Sequence, residues 1–307
     1  MELQQMRYVI AVAETNSFTR AAERCLVVQS ALSHQIARLE RELGARLFER
    51  TSRRVRLTPA GAAFLPAARQ CLDAAERAAA EVAAAVGVVR GRLAVGVIPS
   101  VAAVDIPGAL REFHERHPEV RVSLRVGASE ELAAQVEEGT LDVAFLGLPT
   151  GTVPPKGVRA RDLGRDRLVA VVAPGHPLAA EEPGAVDLRR LSTELFVDLP
   201  AGTAGRVQSD QAFAAAGLVR DVAFEVTNAD FLARLVGQGL GVALLASAYV
   251  ARLGGLTTVE TVEVTDAPER VEYAVWSAAG RTPAAGAFLE LVGVAEEGGA
   301  GQGAQPL

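Results

Sequence analysis

Two sets of side chains in this sequence have types and spacings that could do chemistry. The first is Gln29, Ser30, Ser33, His34 and Arg38, followed by Arg46, Arg50, Arg53, Arg54 and Arg56, five arginines within eleven residues against the single Glu49. Amide, hydroxyl, imidazole and guanidinium groups crowded together donate hydrogen bonds and concentrate positive charge, the footprint that a polyanion requires. The second set follows apolar runs: Ser100 after Pro99, Ser129 after Ala128, Thr203 within residues 200–206 and Asn228 after Thr227. Such hydroxyl and amide groups, backed by main-chain N–H groups where a helix begins, suit a carboxylate or another small anion.

Other signals carry less. His114 and His117 in HERHP have a spacing that could ligate a metal, but they sit at a helix end with no carboxylate or cysteine partner. The glycines of GQGLGV follow a helical stretch and precede a strand, the reverse of a dinucleotide-binding loop. His176 in PGHPLA has no nucleophile beside it. No catalytic residue, metal ligand or cofactor is assigned, and an enzyme accounts for none of the groupings. Cys25 and Cys71 are too few for a disulfide framework and are expected to be buried free thiols.

The charge is divided along the chain. Residues 1–65 hold ten Arg and six Glu, whereas the remainder holds 21 basic and 31 acidic residues, giving −6 overall. An acidic body carries a basic head. At 307 residues there is room for about two domains with sizeable cores. The opening MELQQMRYVIAVAETNSF has an early Glu2 and neither a basic start nor a small-residue cleavage site, and no apolar run reaches about eighteen residues. A cytoplasmic protein without a membrane partner is expected.

The elements that must position the first set are legible. Leu32, Ile36, Leu39 and Leu43 recur at i, i+4, i+7 and i+11, the apolar stripe of a helix that Gly44 ends. Its opposite face then presents Ser30, His34, Ala37 and Arg41, flanked by Ser33 and Arg38. A face without long apolar side chains can approach base edges in a major groove. Upstream, SFTRAAERCL offers Ser17 as an N-cap and places Ala21, Ala22 and Cys25 where a second helix packs, so residues 26–29 make the turn of a helix-turn-helix. Downstream, ARLFERTSRRVRLT alternates about residues 51–54 as a two-stranded wing whose arginines reach phosphates or a narrow minor groove.

SFTRAAERC, ALSHQI, LERELGARLFER and LTPAG together resemble the winged helix-turn-helix of LysR-type transcriptional regulators over residues 2–66. The family often has Ser-Gln-Pro where this chain reads Val28-Gln29-Ser30, and Arg where it reads His34 after Ser33, departures that bear on base preference. The resemblance implies double-stranded promoter DNA as partner, and RNA polymerase as the machinery acted upon. The DNA-binding set is Gln29, Ser30, Ser33, His34 and Arg38 at bases and Arg50, Arg53 and Arg54 at phosphates or the minor groove.

After Thr58-Pro59 an Ala-rich stretch with Leu65, Leu72, Val82 and Val86 reads as one long helix, in which Pro66 is tolerable or kinking. Alone it has too little to bury, so its stripe should pair with a second copy; the resemblance implies a dimer or tetramer. From Gly91, strands and helices alternate as in a parallel α/β sheet, in two subdomains joined by crossovers near residues 161–166 and 264–270. FHERHPEVRVSL, LDVAFLG, PGHPLA and LVGQGLGVALL resemble the LysR effector domain, which is periplasmic-binding-protein-like.

The expected fold class is α/β: a winged helix-turn-helix over 1–58, a linker and dimerisation helix over 59–89, an effector domain over 90–295 and a disordered tail over 296–307. Subdomain I takes 90–161 with 268–295, and subdomain II takes 162–267. Ligands of such folds bind beyond the carboxyl ends of strands, and the candidate effector set is Ser100, Val101, Ser129, Gly147, Thr203 and Asn228. The competing reading makes the Ser, Thr and Asn members helix caps. A solute-binding protein explains residues 91–295 alone; a DNA-binding regulator controlled by a small anionic effector explains every segment.

Overall fold

The computed structural model describes residues 1–50, 55–180, 184–253 and 258–294, in two compact units, Met1–Gly87 and Val88–Leu307. The first contains α1 (Leu3–Thr15), α2 (Phe18–Arg24), α3 (Gln29–Leu43), β1 (Phe48–Arg50), β2 (Val55–Leu57) and α4 (Pro59–Ala85). The Ser17 Oγ accepts the Arg20 N–H at 3.3 Å and starts α2, while Gly44 ends α3 in the left-handed region at φ 68°. Leu32, Ile36 and Leu39 are fully buried against Val9, Val12, Phe18, Ala21 and Phe48. The fourth residue of the expected stripe departs from it: Leu43 is 40% exposed, because the last turn of α3 overruns the small core, and Leu47, 1% exposed, fills that corner instead.

β1 and β2 pair antiparallel, Phe48 opposite Leu57 and Glu49 opposite Arg56; the wing tip at 51–54, with Arg53 and Arg54, lies outside the described residues. LTPAG then acquires a physical meaning. Thr58 Oγ donates to the Arg46 carbonyl at 2.6 Å and accepts the Gly61 N–H at 3.0 Å, so one hydroxyl both caps α4 and ties it to the wing. Gly61 is required by packing, since a Cβ there would stand 2.1 Å from the Leu47 carbonyl oxygen. α4 continues through Pro66 and ends at Ala85. The thiols differ from expectation: Cys71 is exposed on α4, and Cys25 is half-buried at the C-cap of α2. The small side chains of Ala-rich α4 cannot cover Cys71, whereas Cys25 packs at the edge of the core of the first unit.

The second unit runs β3 (Gly91–Val97), α5 (Ile106–Arg116), β4 (Val120–Val126), α6 (Ser129–Glu137), β5 (Val143–Pro149), β6 (Val158–Val172), β7 (Ala185–Val186), α7 (Leu188–Leu191), β8 (Leu195–Asp198), α8 (Ala204–Ala215), β9 (Asp221–Glu225), α9 (Ala229–Gly237), β10 (Ala243–Ala246), α10 (Ser247–Arg252), β11 (Glu260–Val264), β12 (Glu269–Ser277) and α11 (Pro283–Leu291). One half orders its strands β4-β3-β5-β12-β6; β6 continues into the other half, where it pairs with β10 and β11. β8 and β9 join through a bridge between Phe196 and Val242.

The sheet is mixed rather than parallel. β3 is parallel to β4 and β5, but β12 is antiparallel to β5 and β6, and β6 is antiparallel to β10 and β11. Apolar periodicity reports a buried strand and carries no information on its direction. β6 itself was half hidden: it is largely exposed from Val158 to Arg167 and buried only from Leu168, so its first ten residues show no apolar run. Of the glycines of GQGLGV, Gly239 turns the chain at φ 78° and Gly241 serves close approach, for a Cβ there would lie 2.6 Å from the Leu195 carbonyl oxygen, which accepts the Val242 N–H at 2.8 Å.

Candidate nucleic-acid interface and effector seam

On α3, Gln29, Ser30, His34, Arg38 and Arg41 are exposed on the side away from the buried Leu32-Ile36-Leu39 stripe, and Ser33 is half-buried at its edge. Gln29 and Ser30 fall in the first turn, where a helix entering a groove meets base edges first. Arg38 lies 3.8 Å from Glu2 with both side chains more than half exposed, a contact weak enough to give way to a phosphate. Leu26, 93% exposed with φ 54°, and Val28, 69% exposed, stand immediately before α3. Exposed apolar side chains of this kind are the type that can meet a thymine methyl. Arg50 ends β1 opposite Val55, and Arg56 is exposed on β2.

In the second unit, Ser100 is 4% exposed in the loop after β3. Its Oγ accepts Arg270 Nη1 at 3.0 Å and its carbonyl accepts Arg270 Nη2 at 2.6 Å. Arg270 also forms an ion pair with Glu272, two residues on and on the same face of β12. The Glu272 carboxylate in turn accepts the N–H groups of Ala102, at 3.0 Å, and Ala103, at 2.8 Å. Val101 packs half-buried between these anchors. Ser129, the first residue of α6, holds the main chain of one residue at both its ends: its Oγ accepts the Gly147 N–H at 3.1 Å and donates to the Gly147 carbonyl at 3.0 Å. Gly147 is cramped, since a Cβ would meet Ile98 Cδ1 at 2.9 Å.

The other half brings α8 against β5. Thr203, just before α8, donates from Oγ1 to the Pro200 carbonyl at 2.8 Å and makes no side-chain cap. Asn228 is exposed and caps α9, its Oδ1 accepting the Phe231 N–H at 2.7 Å. Close to Thr203, Asp198 accepts Arg220 Nη1 at 2.5 Å; burial pushes its carboxyl above the usual carboxylate range against the opposing pull of Arg220. Arg252 of α10 donates to the Val104 carbonyl at 2.9 Å, a bond from one half to the loop that carries Ser100.

The order of elements and both halves' geometry match known proteins. Residues 3–62 match the model of the bacterial regulatory helix-turn-helix protein, lysR family, and residues 87–295 match the LysR substrate binding domain. The chain belongs to the LysR-type transcriptional regulators. It is 31% identical to the RuBisCO operon transcriptional regulator of Allochromatium vinosum over 95% of each chain, and 36% identical to the HTH-type transcriptional regulator ShiR of Corynebacterium glutamicum over 80% of this chain and 82% of the relative. Among solved structures, full-length CbnR complexed with its target DNA aligns with a TM-score of 0.69 at 26% identity, covering 95% of this chain and 99% of that one.

In this LysR-type regulator, sequence reasoning named Ser100 as a candidate and passed over the Arg270–Glu272 pair that holds it. A signal was present: ERVEYAVWS places two opposite charges at i and i+2 on one face of a strand otherwise apolar there. Read at period two, that pattern means paired charges turned inward. The burial of Gln208, 2% exposed on α8, was also missed, because α8 holds a second amide, Gln211, and nothing in the sequence marks which of the two turns inward.

Proposed function

We propose that this regulator reads promoter DNA with Gln29, Ser30, Ser33, His34 and Arg38 of α3 and grips the backbone with Arg50, Arg53 and Arg54 of the wing. Its activity is controlled by a small carboxylate or other anion taken up at the seam between the two halves of the second unit. The observation that carries the anion is the Ser100 hydroxyl, which accepts from Arg270 and so keeps its own proton for an acceptor. A carboxylate oxygen is such an acceptor, and Arg270, itself paired with Glu272, fixes the hydroxyl that meets it. Ser129 supports the site at one remove by fixing the Gly147 peptide, with Val101 and Thr203 at the margins. Asn228 contributes as the cap that orients α9.

Thiol oxidation is another way in which a domain can sense its surroundings, and residues 88–307 contain no cysteine. The regulator self-associates through α4, acts on RNA polymerase rather than catalysing a reaction, and works in the cytoplasm; no described helix is long and apolar enough to cross a membrane. Gel shifts on the upstream DNA of neighbouring genes, with calorimetry of small carboxylates on wild type and Ser100→Ala, test the reading. It expects an acid that binds wild type, binds Ser100→Ala at least about tenfold more weakly and changes DNA affinity or bending. Equal binding to both proteins overturns it.

A further inference from the structure

Gln208 is 2% exposed, and neither its Nε2 nor its Oε1 has a hydrogen-bond partner. Its neighbour Ser209, 1% exposed, likewise leaves Oγ without one. The buried stripe of α8 is Ala204, Gln208, Ser209 and Phe213. Phe213 enters the core of its own half, its ring 5.6 Å from that of Phe196, while α8 also lies against β5 of the other half. On the strand paired with β5, Arg270 stands opposite Pro149, and its Nε too is buried without a partner. Unmatched polar atoms therefore gather on two elements that flank the same strand, at the seam.

A buried carboxamide with both ends unmatched destabilises the protein that contains it, and native structures keep very few. Nothing in the packing of α8 asks for an amide, since a leucine or methionine would fill similar volume without the cost. Residues that cost stability in this way recur where a ligand is recognised. Glu272 already pairs the Arg270 guanidinium, so the unmatched amide of Gln208 calls for a neutral polar partner. On Gln208 itself a donor, Nε2, and an acceptor, Oε1, remain to be matched. A hydroxyl supplies both: it donates to Oε1 and accepts from Nε2.

We propose that Gln208 is the specificity-determining residue of this seam and that the effector is a small hydroxy-substituted carboxylate, its carboxylate at Ser100 and its hydroxyl at Gln208. This rests on the reading of the seam as the anion site. A site built to bond a hydroxyl rejects the analogue that lacks it far more strongly than an apolar pocket rejects a methylene.

The test uses the full-length protein and acids that differ by one hydroxyl, malate against succinate and lactate against propionate. Thermal unfolding without acid should show Gln208→Met and Gln208→Leu melting above wild type. With acid, at least one hydroxy acid should raise the wild-type melting temperature more than its partner does, and both variants should lose that difference while keeping a residual shift. If no acid shifts wild type, the anion reading falls and this proposal with it. If acids shift wild type but hydroxyl discrimination is absent, or survives in both variants, the anion reading stands and the role of Gln208 is overturned. Variants that melt below wild type or fail to fold show a structural amide, which overturns it equally.

Discussion

Arg270 holds Ser100 by its hydroxyl and its carbonyl at once, at 3.0 and 2.6 Å, across 170 residues of chain. With Glu272 on Ala102 and Ala103, the loop after β3 is fastened to β12 by side chains alone. Both charges are almost fully buried, so losing one partner leaves the other uncompensated. Arg270→Met or Glu272→Gln should each cost about 3–5 kcal/mol in urea unfolding, and the Arg270→Met/Glu272→Leu double variant should cost much less than the sum. Additive losses would mean that the two residues act independently.

Gly61 of α4 has the Leu47 carbonyl where a methyl would go. Gly61→Ala should therefore push the start of α4 away from the wing, destabilising the Met1–Gly87 unit by about 1–3 kcal/mol and weakening DNA binding. Thermal unfolding followed by gel shift checks both; an unchanged melting curve contradicts the packing account.

The two groups of DNA-facing residues should fail differently. Ser33→Ala or His34→Ala should alter affinity by about 1–3 kcal/mol at some sequences and little at others, whereas Arg53→Ala should weaken all sequences alike and reduce the salt slope by about one. Binding titrations at several salt concentrations, on specific and scrambled DNA, separate the cases. Identical behaviour would remove the division between base reading and backbone grip.

α4 leaves Val82 69% exposed and its C-cap Val86 76% exposed, with Leu72 half-buried. Apolar side chains on a long helix are expected to be covered by a second copy. Sedimentation at micromolar concentration should show a dimer or tetramer, and Leu72→Glu or Val82→Glu should shift it towards monomer and lower DNA affinity. A monomeric wild type would refute this.

Gly241 combines φ 156° with a Cβ position 2.6 Å from the Leu195 carbonyl. Gly241→Ala should cost about 1–3 kcal/mol by separating β10 from β8. Denaturant unfolding measures it, and a loss near zero would mean that this junction is slack.

What the sequence by itself determined is what depends on neighbours along the chain. The Leu32, Ile36 and Leu39 stripe of α3, the Ser17 and Thr58 caps, the Gly44 stop and the strand pairing of the wing follow from periodicity and backbone preference within a few residues, and the structure has them where those rules put them. Charge division between head and body is likewise a property of composition. The tertiary structure decided what depends on residues far apart: that β12 runs antiparallel beside β5, that the first part of β6 is a strand at all, that Leu43 passes the edge of its core and that Cys71 is exposed. It also decided the partners of each hydroxyl, since Ser100 and Ser129 look alike in sequence yet one accepts from Arg270 and the other donates to Gly147. A hydrogen bond is set by the position of a partner in space to within a few tenths of an ångström, and that partner lies 170 residues away for Ser100 and 18 for Ser129.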